Sequence, residues 1–367
     1  MRLTAHYRIR CSSDEIGGKA DALAVEQSVE MPLDAIDDAY VLESIVGRVI
    51  GITDVGDGTF RVAVSLAAET VGDDPGQFMN MLFGNSSLHE DVTLEDVELP
   101  AEMLAAFCGP AIGMAGLRAR VGAGRRALTC AAIKPQGLSS RKLADLVRRF
   151  ALGRIDYVKD DHGLADQRYS PFAERMRACA AAARQAAETG HATRYVPSLS
   201  GNLDQLRDQL CIARDEGLDT LLIAPMIVGL PAFHALASEN RDMAFLAHPA
   251  LGGAARIAPP LLIGKLFRLL GADAVIFPNY GGRFGYSEAT CAAIADAARG
   301  PWGGLVPAMP VPAGGMNLDR LREMLTFYGV DVMTLIGGGL LAARERLTEA
   351  SARFADEVAR LSRDGEP

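Results

Sequence analysis

The sequence predicts an α/β protein in which a smaller α+β domain precedes a (β/α)8 barrel. Three observations predict it. From about residue 128, apolar strand-length runs and stretches of helical period alternate eight times. Residues 1–113 lack that alternation and mix strands with helices irregularly. The chain has 367 residues, 49% of them hydrophobic, which is enough to bury both cores.

In the expected N-terminal domain, residues 1–113, strands are predicted over 2–10, 41–53 and 59–67. Gly56-Asp57-Gly58 turns the last two into a hairpin. Helices are predicted over 13–28 and 75–83. In the expected barrel domain, residues 114–367, strands are predicted over 128–133, 155–158, 195–199, 220–224, 244–247, 274–277, 304–308 and 332–336. The helices between them include 139–151, 171–189, 203–216 and 318–328, with 340–362 as the last. Parallel strands buried on both faces suit a closed barrel, because a doubly wound open sheet seldom needs eight evenly spaced units.

Composition narrows the function. A net charge of −9 argues against a nucleic-acid surface, which needs clustered lysine and arginine, and leaves small-molecule work open. Cys11, Cys108, Cys130, Cys179, Cys211 and Cys291 are scattered without a CxxC pair, as reduced structural thiols of a cytoplasmic protein are. The opening "RLTAHYRIRC" reads as a strand without a signal segment. No apolar run approaches the roughly 18 residues of a membrane span, so no membrane partner is expected.

A barrel concentrates its chemistry in the loops after its strands. There the sequence places Lys134 in "IKPQGLS", "VKDDHG" at 158–163, His248 in "AHPALGG" and Arg283 in "FPNYGGRFGY". Gly314-Gly315 and Gly337-Gly338-Gly339 follow the last two strands. Glycines before a helix let backbone amides approach an anion, and these two loops are the usual phosphate cradle of a barrel. "KDDH" is open between a solvated charge run and a metal site. Carboxylates suit a hard cation such as Mg²⁺. A lysine joins them only after CO₂ carbamylates it, which requires a neutral amine.

Taken together, these segments resemble the large subunit of RuBisCO, and especially the RuBisCO-like proteins, over nearly the whole chain. "LTCAAIKPQGLS" looks like the family's first-strand motif, implying Lys134 as the proton-transferring lysine. "GRIDYVKDDH" looks like its metal motif, implying a divalent metal, Mg²⁺ or Mn²⁺, held by carbamylated Lys159, Asp161 and His162. "PVPAGG" and "LIGGG" imply a phosphate site over Ala313, Gly314, Gly315, Gly337, Gly338 and Gly339. "LAVEQS" and "FGNSSL" imply Glu26 and Asn85 as residues that complete a neighbouring subunit's site, hence a homodimer. The resemblance also implies a ferredoxin-like first domain and sets Arg283 in the mobile loop that meets the substrate. His248, at a strand end, is expected to bind substrate, against the alternative of a satisfied loop histidine.

The departures narrow the reaction. Gln136 stands where RuBisCO has a second lysine, and Arg283 where it has the loop lysine that polarises CO₂. Pro249 and Ile276 replace the arginine and histidine that hold a second phosphate. A phosphorylated sugar with one uncharged end is therefore expected, without CO₂ fixation. His162 replaces the usual glutamate, and imidazole suits Mn²⁺, Fe²⁺ or Zn²⁺ better than Mg²⁺. The preferred reading is isomerisation of 5-methylthioribulose 1-phosphate in sulfur salvage. Arg283 keeps open a decarboxylase or transcarboxylase of a 3-oxo-isoapionate phosphate, by gripping a carboxylate. Asn85, where the methionine-salvage enolases carry a lysine base, argues against 2,3-diketo-5-methylthiopentyl 1-phosphate enolase. A non-catalytic binding protein is the remaining alternative.

Overall fold

The structure, a computed structural model, describes residues 1–364. It has two compact units, Met1–Phe107 with Leu251–Leu262, and Cys108–Ala250 with Ile263 onward. The sequence expectation divided the chain after residue 113. Ile112 and Gly113, however, donate their amides to Asp273 at 2.7 Å each, within the second unit.

The first unit is built on β1 (Arg2–Arg10), β2 (Arg48–Gly56), β3 (Thr59–Ala67) and β4 (Val92–Glu98). They form one antiparallel sheet in the order β2-β3-β1-β4. Helices Ile16–Glu26 and Pro75–Phe83 follow β1 and β3, giving the ferredoxin-like β-α-β-β-α-β arrangement. Leu3, Ala5, Tyr7 and Ile9 alternate into the core, the period-two burial of a one-sided sheet. The strand expected over 41–53 is a π-helix over Val41–Ile45 followed by β2. The Asp38 carboxylate accepts the Val41 amide and starts a helical turn that the apolar run alone does not reveal. Leu251–Leu262 joins this unit because Leu94 and Ile257 form a parallel bridge.

The second unit holds β5 (Leu128–Ile133), β6 (Tyr157–Asp160), β7 (Arg194–Val196), β8 (Thr220–Ile223), β9 (Ala244–Ala247), β10 (Ala274–Pro278), β11 (Met309–Ala313) and β12 (Met333–Leu335). They run parallel in two hydrogen-bonded arcs, β12-β5-β6-β7 and β8-β9-β10-β11. A bridge between Ser198 and Leu222 joins one seam, and β11 lies beside β12 at the other. The strand expected over 304–308 lies instead at Met309–Ala313, whose "MPVPA" carries two prolines. Met309 donates to Asp273 O at 2.8 Å, so alternate residues face β10. Pro310 and Pro312 then face the β12 side, where the ladder stops and a missing N–H costs nothing.

Inside the ring, Leu128, Cys130, Tyr157, Val196, Leu222, Leu246, Ile276, Val311 and Leu335 pack as one core. The helix Gly113–Arg120 underlies it, its Leu117 carbonyl accepting from the Tyr157 hydroxyl at 2.7 Å.

Candidate active site

Counting onward by twos from the interior residues reaches Lys134, Lys159, Asp161, His248, Ala313 and Gly337. The pleat therefore delivers these six to the mouth that the strand ends surround. Lys134 Nζ pairs with Asp161 Oδ1 at 2.9 Å. Burial alone would raise the Asp161 carboxyl. Hydrogen bonds from His162 and Lys134, with the Lys159 charge nearby, outweigh it and hold Asp161 well below the usual carboxylate range. A Cβ on Gly337 would come 4.0 Å from Lys134 Cε, which places the last glycine loop beside the lysine.

Lys159 is 3% exposed, and its Nζ donates to the Asp160 carbonyl at 2.9 Å. Burial lowers its pKa, and among the described residues no carboxylate pairs with it. A buried amine biased toward its neutral form has the chemistry that carbamylation needs. Among the described residues no three His, Cys, Asp or Glu side chains converge on one point. Asp161 and His162 would thus need the Lys159 carbamate as a third ligand, so these residues fit a divalent metal only in the modified state. His162 Nδ1 is 3.5 Å from Asp161 Oδ1, and its ring stacks on His248 at 4.1 Å and 9°. Burial, with Lys159 and His162 nearby, pushes His248 down to about 2, so its imidazole is neutral.

Asp160 faces the other way, as the pleat requires. It accepts from Arg175 Nε at 3.1 Å, the Tyr195 hydroxyl at 2.6 Å and the Ser198 amide at 3.1 Å. Arg175 also donates to the Ala165 and Ser170 carbonyls, bracing the loop after β6. Sequence reasoning missed Arg175 and Tyr195. A lone arginine among Phe172, Met176 and Cys179, on the buried face of its helix, was the available signal.

The glycine loops meet closely. A Cβ on Gly315 would come 3.1 Å from Gly282 Cα and 3.4 Å from the Arg283 nitrogen, and one on Gly339 would come 3.0 Å from Met316 O. Gly314 and Gly315 adopt φ of +86° and +81°, the left-handed region that favours glycine. Among the described residues the amides of Gly314, Gly315 and Gly337 donate to no protein acceptor. Arg283 is exposed, with its guanidinium 5.5 Å from the Phe284 ring centre. Ile276 is a core residue, 2% exposed.

Glu26 and Asn85 belong to the first unit. Asn85 Nδ2 donates to Glu26 Oε1 at 2.9 Å and to Glu30 Oε1 at 3.0 Å, so the two expected residues are joined there, with Glu30 added.

A parallel barrel with a lysine-aspartate pair over a buried lysine, glycine loops on its last two strands and a ferredoxin-like first unit defines a RuBisCO-type protein. Residues 113–352 match the ribulose bisphosphate carboxylase large chain, catalytic domain, and the chain belongs to that family. Its relatives include RuBisCO-like proteins. It is 60% identical to the 5-methylthioribulose-1-phosphate isomerase of Rhodospirillum rubrum, covering 98% of this chain and 96% of that protein. It is 33% identical to the 2,3-diketo-5-methylthiopentyl-1-phosphate enolase of Geobacillus thermodenitrificans, over 80% of this chain and 76% of that one. The crystal structure of a RuBisCO-like protein from Rhodopseudomonas palustris matches with a TM-score of 0.93 at 51% identity, covering 100% of this chain and 99% of that one. Among the described residues no helix is long and apolar enough to cross a membrane.

Proposed function

We propose that the chain isomerises 5-methylthioribulose 1-phosphate, moving its carbonyl from C2 to C4 to give a 1-methylthio ketose 5-phosphate. The observation that carries this reading is the Lys134–Asp161 pair at 2.9 Å, set beside the buried Lys159 and the Gly337 loop. The similarity to the R. rubrum isomerase along almost the whole chain supports it.

The substrate's phosphate rests on the amides of Gly314, Gly315 and Gly337, with Ala313, Gly338 and Gly339 shaping the same surface. Lys134 exchanges protons with the sugar carbons. Removing the C3 proton gives a C2–C3 enediolate, and returning a proton to C2 leaves a C3 ketone. Repeating the exchange between C4 and C3 completes the shift, with no atom gained or lost. His248, neutral and stacked on His162, offers a hydrogen bond to a sugar hydroxyl without adding charge. Carbamylated Lys159, Asp161 and His162 would hold a divalent metal, Mg²⁺ or Mn²⁺, which supplies Lewis-acid stabilisation of enediolate charge. The chain acts as a homodimer in which Glu26 and Asn85 complete the site of a second copy.

Incubating the purified protein with 5-methylthioribulose 1-phosphate in D₂O tests the reading. Deuterium at the shifted carbons and a displaced phosphorus resonance are expected. Release of CO₂ from a 3-oxo-isoapionate phosphate, with no exchange into the thio-sugar, would give the site to a decarboxylase instead.

A further inference from the structure

We propose that Arg320 is a positioning residue for the phosphate end of the site. It clasps the loop after β10, which carries Arg283, onto the glycine loop after β11. The inference rests on reading Gly314 and Gly315 as a phosphate cradle.

Arg320 immediately precedes the helix Leu321–Tyr328. Its Nη1 donates to the Tyr280 carbonyl at 3.0 Å, while Nε and Nη2 pair with the two Glu323 oxygens at 3.2 and 2.8 Å. The guanidinium also lies over the Tyr280 ring, 5.2 Å from its centre. The Arg320 backbone amide donates to Asn317 Oδ1 at 3.1 Å, which ties the clasp to the loop after β11. Tyr280 packs on Phe327 at 4.9 Å, and Asn279 accepts from the Tyr328 hydroxyl. The stem of the Arg283 loop is therefore bound to the neighbouring helix at two successive residues.

Beyond that stem the loops touch backbone to backbone. A Cβ on Gly281 would come 3.2 Å from the Arg320 guanidinium, and one on Gly282 would come 2.1 Å from Gly314 O. No side chain fits between them. The Phe284 ring covers the same strip, lying 3.5 Å from where a Gly314 Cβ would be. Glu323 neutralises Arg320, so Arg320 acts as a brace rather than an anion ligand. Arg283 has no carboxylate partner among the described residues, and its backbone nitrogen lies against Gly315. The clasp thus commits Arg283 to the phosphate end of the substrate.

The test uses the full chain and the variants Arg320→Ala, Arg320→Lys, Arg283→Ala and the Arg320→Ala/Arg283→Ala double. Inorganic phosphate is titrated calorimetrically, and KM and kcat are measured for the thio-sugar phosphate. Arg320→Ala is expected to raise the phosphate Kd and the KM about tenfold, with kcat within about twofold. Arg320→Lys, which keeps the bond to the Tyr280 carbonyl, falls between. The double variant loses little more than Arg283→Ala, because one residue acts through the other. An unchanged phosphate Kd in Arg320→Ala and Arg320→Lys, fully additive losses, or a wild-type protein that binds no phosphate would each overturn the inference. Phosphate shifts as expected without thio-sugar turnover would leave it standing and remove the isomerase reading alone.

Discussion

Lys159 and Asp160 are adjacent and have opposite fates. Lys159 turns inward, where burial lowers its pKa, and Asp160 turns outward to Arg175. Lys159→Ala is expected to abolish turnover that depends on added metal and bicarbonate. Unaltered turnover would remove the carbamate from the scheme. Asp160→Asn strips the counter-charge from Arg175, which is fully buried. It is expected to destabilise the fold by about 3–5 kcal/mol, read from urea unfolding. A loss below about 1 kcal/mol would mean that the Tyr195 and backbone bonds hold the loop without the ion pair. The sequence named the charged run, and the period-two pleat of the strand then turns Asp160 outward. The arginine was harder to read, because it arrives from a helix fifteen residues away.

At the scale of elements, the outer face of the first sheet carries a charge cluster across three strands. Glu95 on β4 pairs with Arg61 on β3 and Arg8 on β1. The hydrogen bond from Arg61, joined by Arg8, holds the Glu95 carboxyl below its ordinary value. Because the folded pKa is depressed, the stabilisation is present above the unfolded value of about 4.3 and lost as pH falls through the folded one. Glu95→Gln is expected to cost about 0.5–1 kcal/mol at pH 7, since both arginines are half exposed and screened. The deficit should vanish in acid, and a deficit independent of pH would show that packing rather than charge is responsible. Strands that are almost wholly apolar, such as β5 and β9, were legible from their own residues. β11 was misplaced because proline normally marks the end of a strand, and only its position at the seam makes it harmless.

For the whole molecule, the proposed dimer predicts complementation. Lys159→Ala and Asn85→Ala chains, each inactive alone, should recover about a quarter of wild-type activity when mixed and allowed to exchange. No recovery would place every working residue within one copy. The barrel was legible because its eightfold rhythm is local, whereas the Arg320 clasp joins residues forty positions apart. The inward parity of Lys134, Lys159, Asp161 and His248 makes the gene sensitive to small insertions and deletions. A substitution alters one side chain and leaves its neighbours in place. The gain or loss of a single codon within β6 would instead exchange its two faces, turning Asp160 toward the barrel mouth and Lys159 toward the helices. Descendants of such a gene would lose the proposed chemistry in one step while keeping every residue assigned to it.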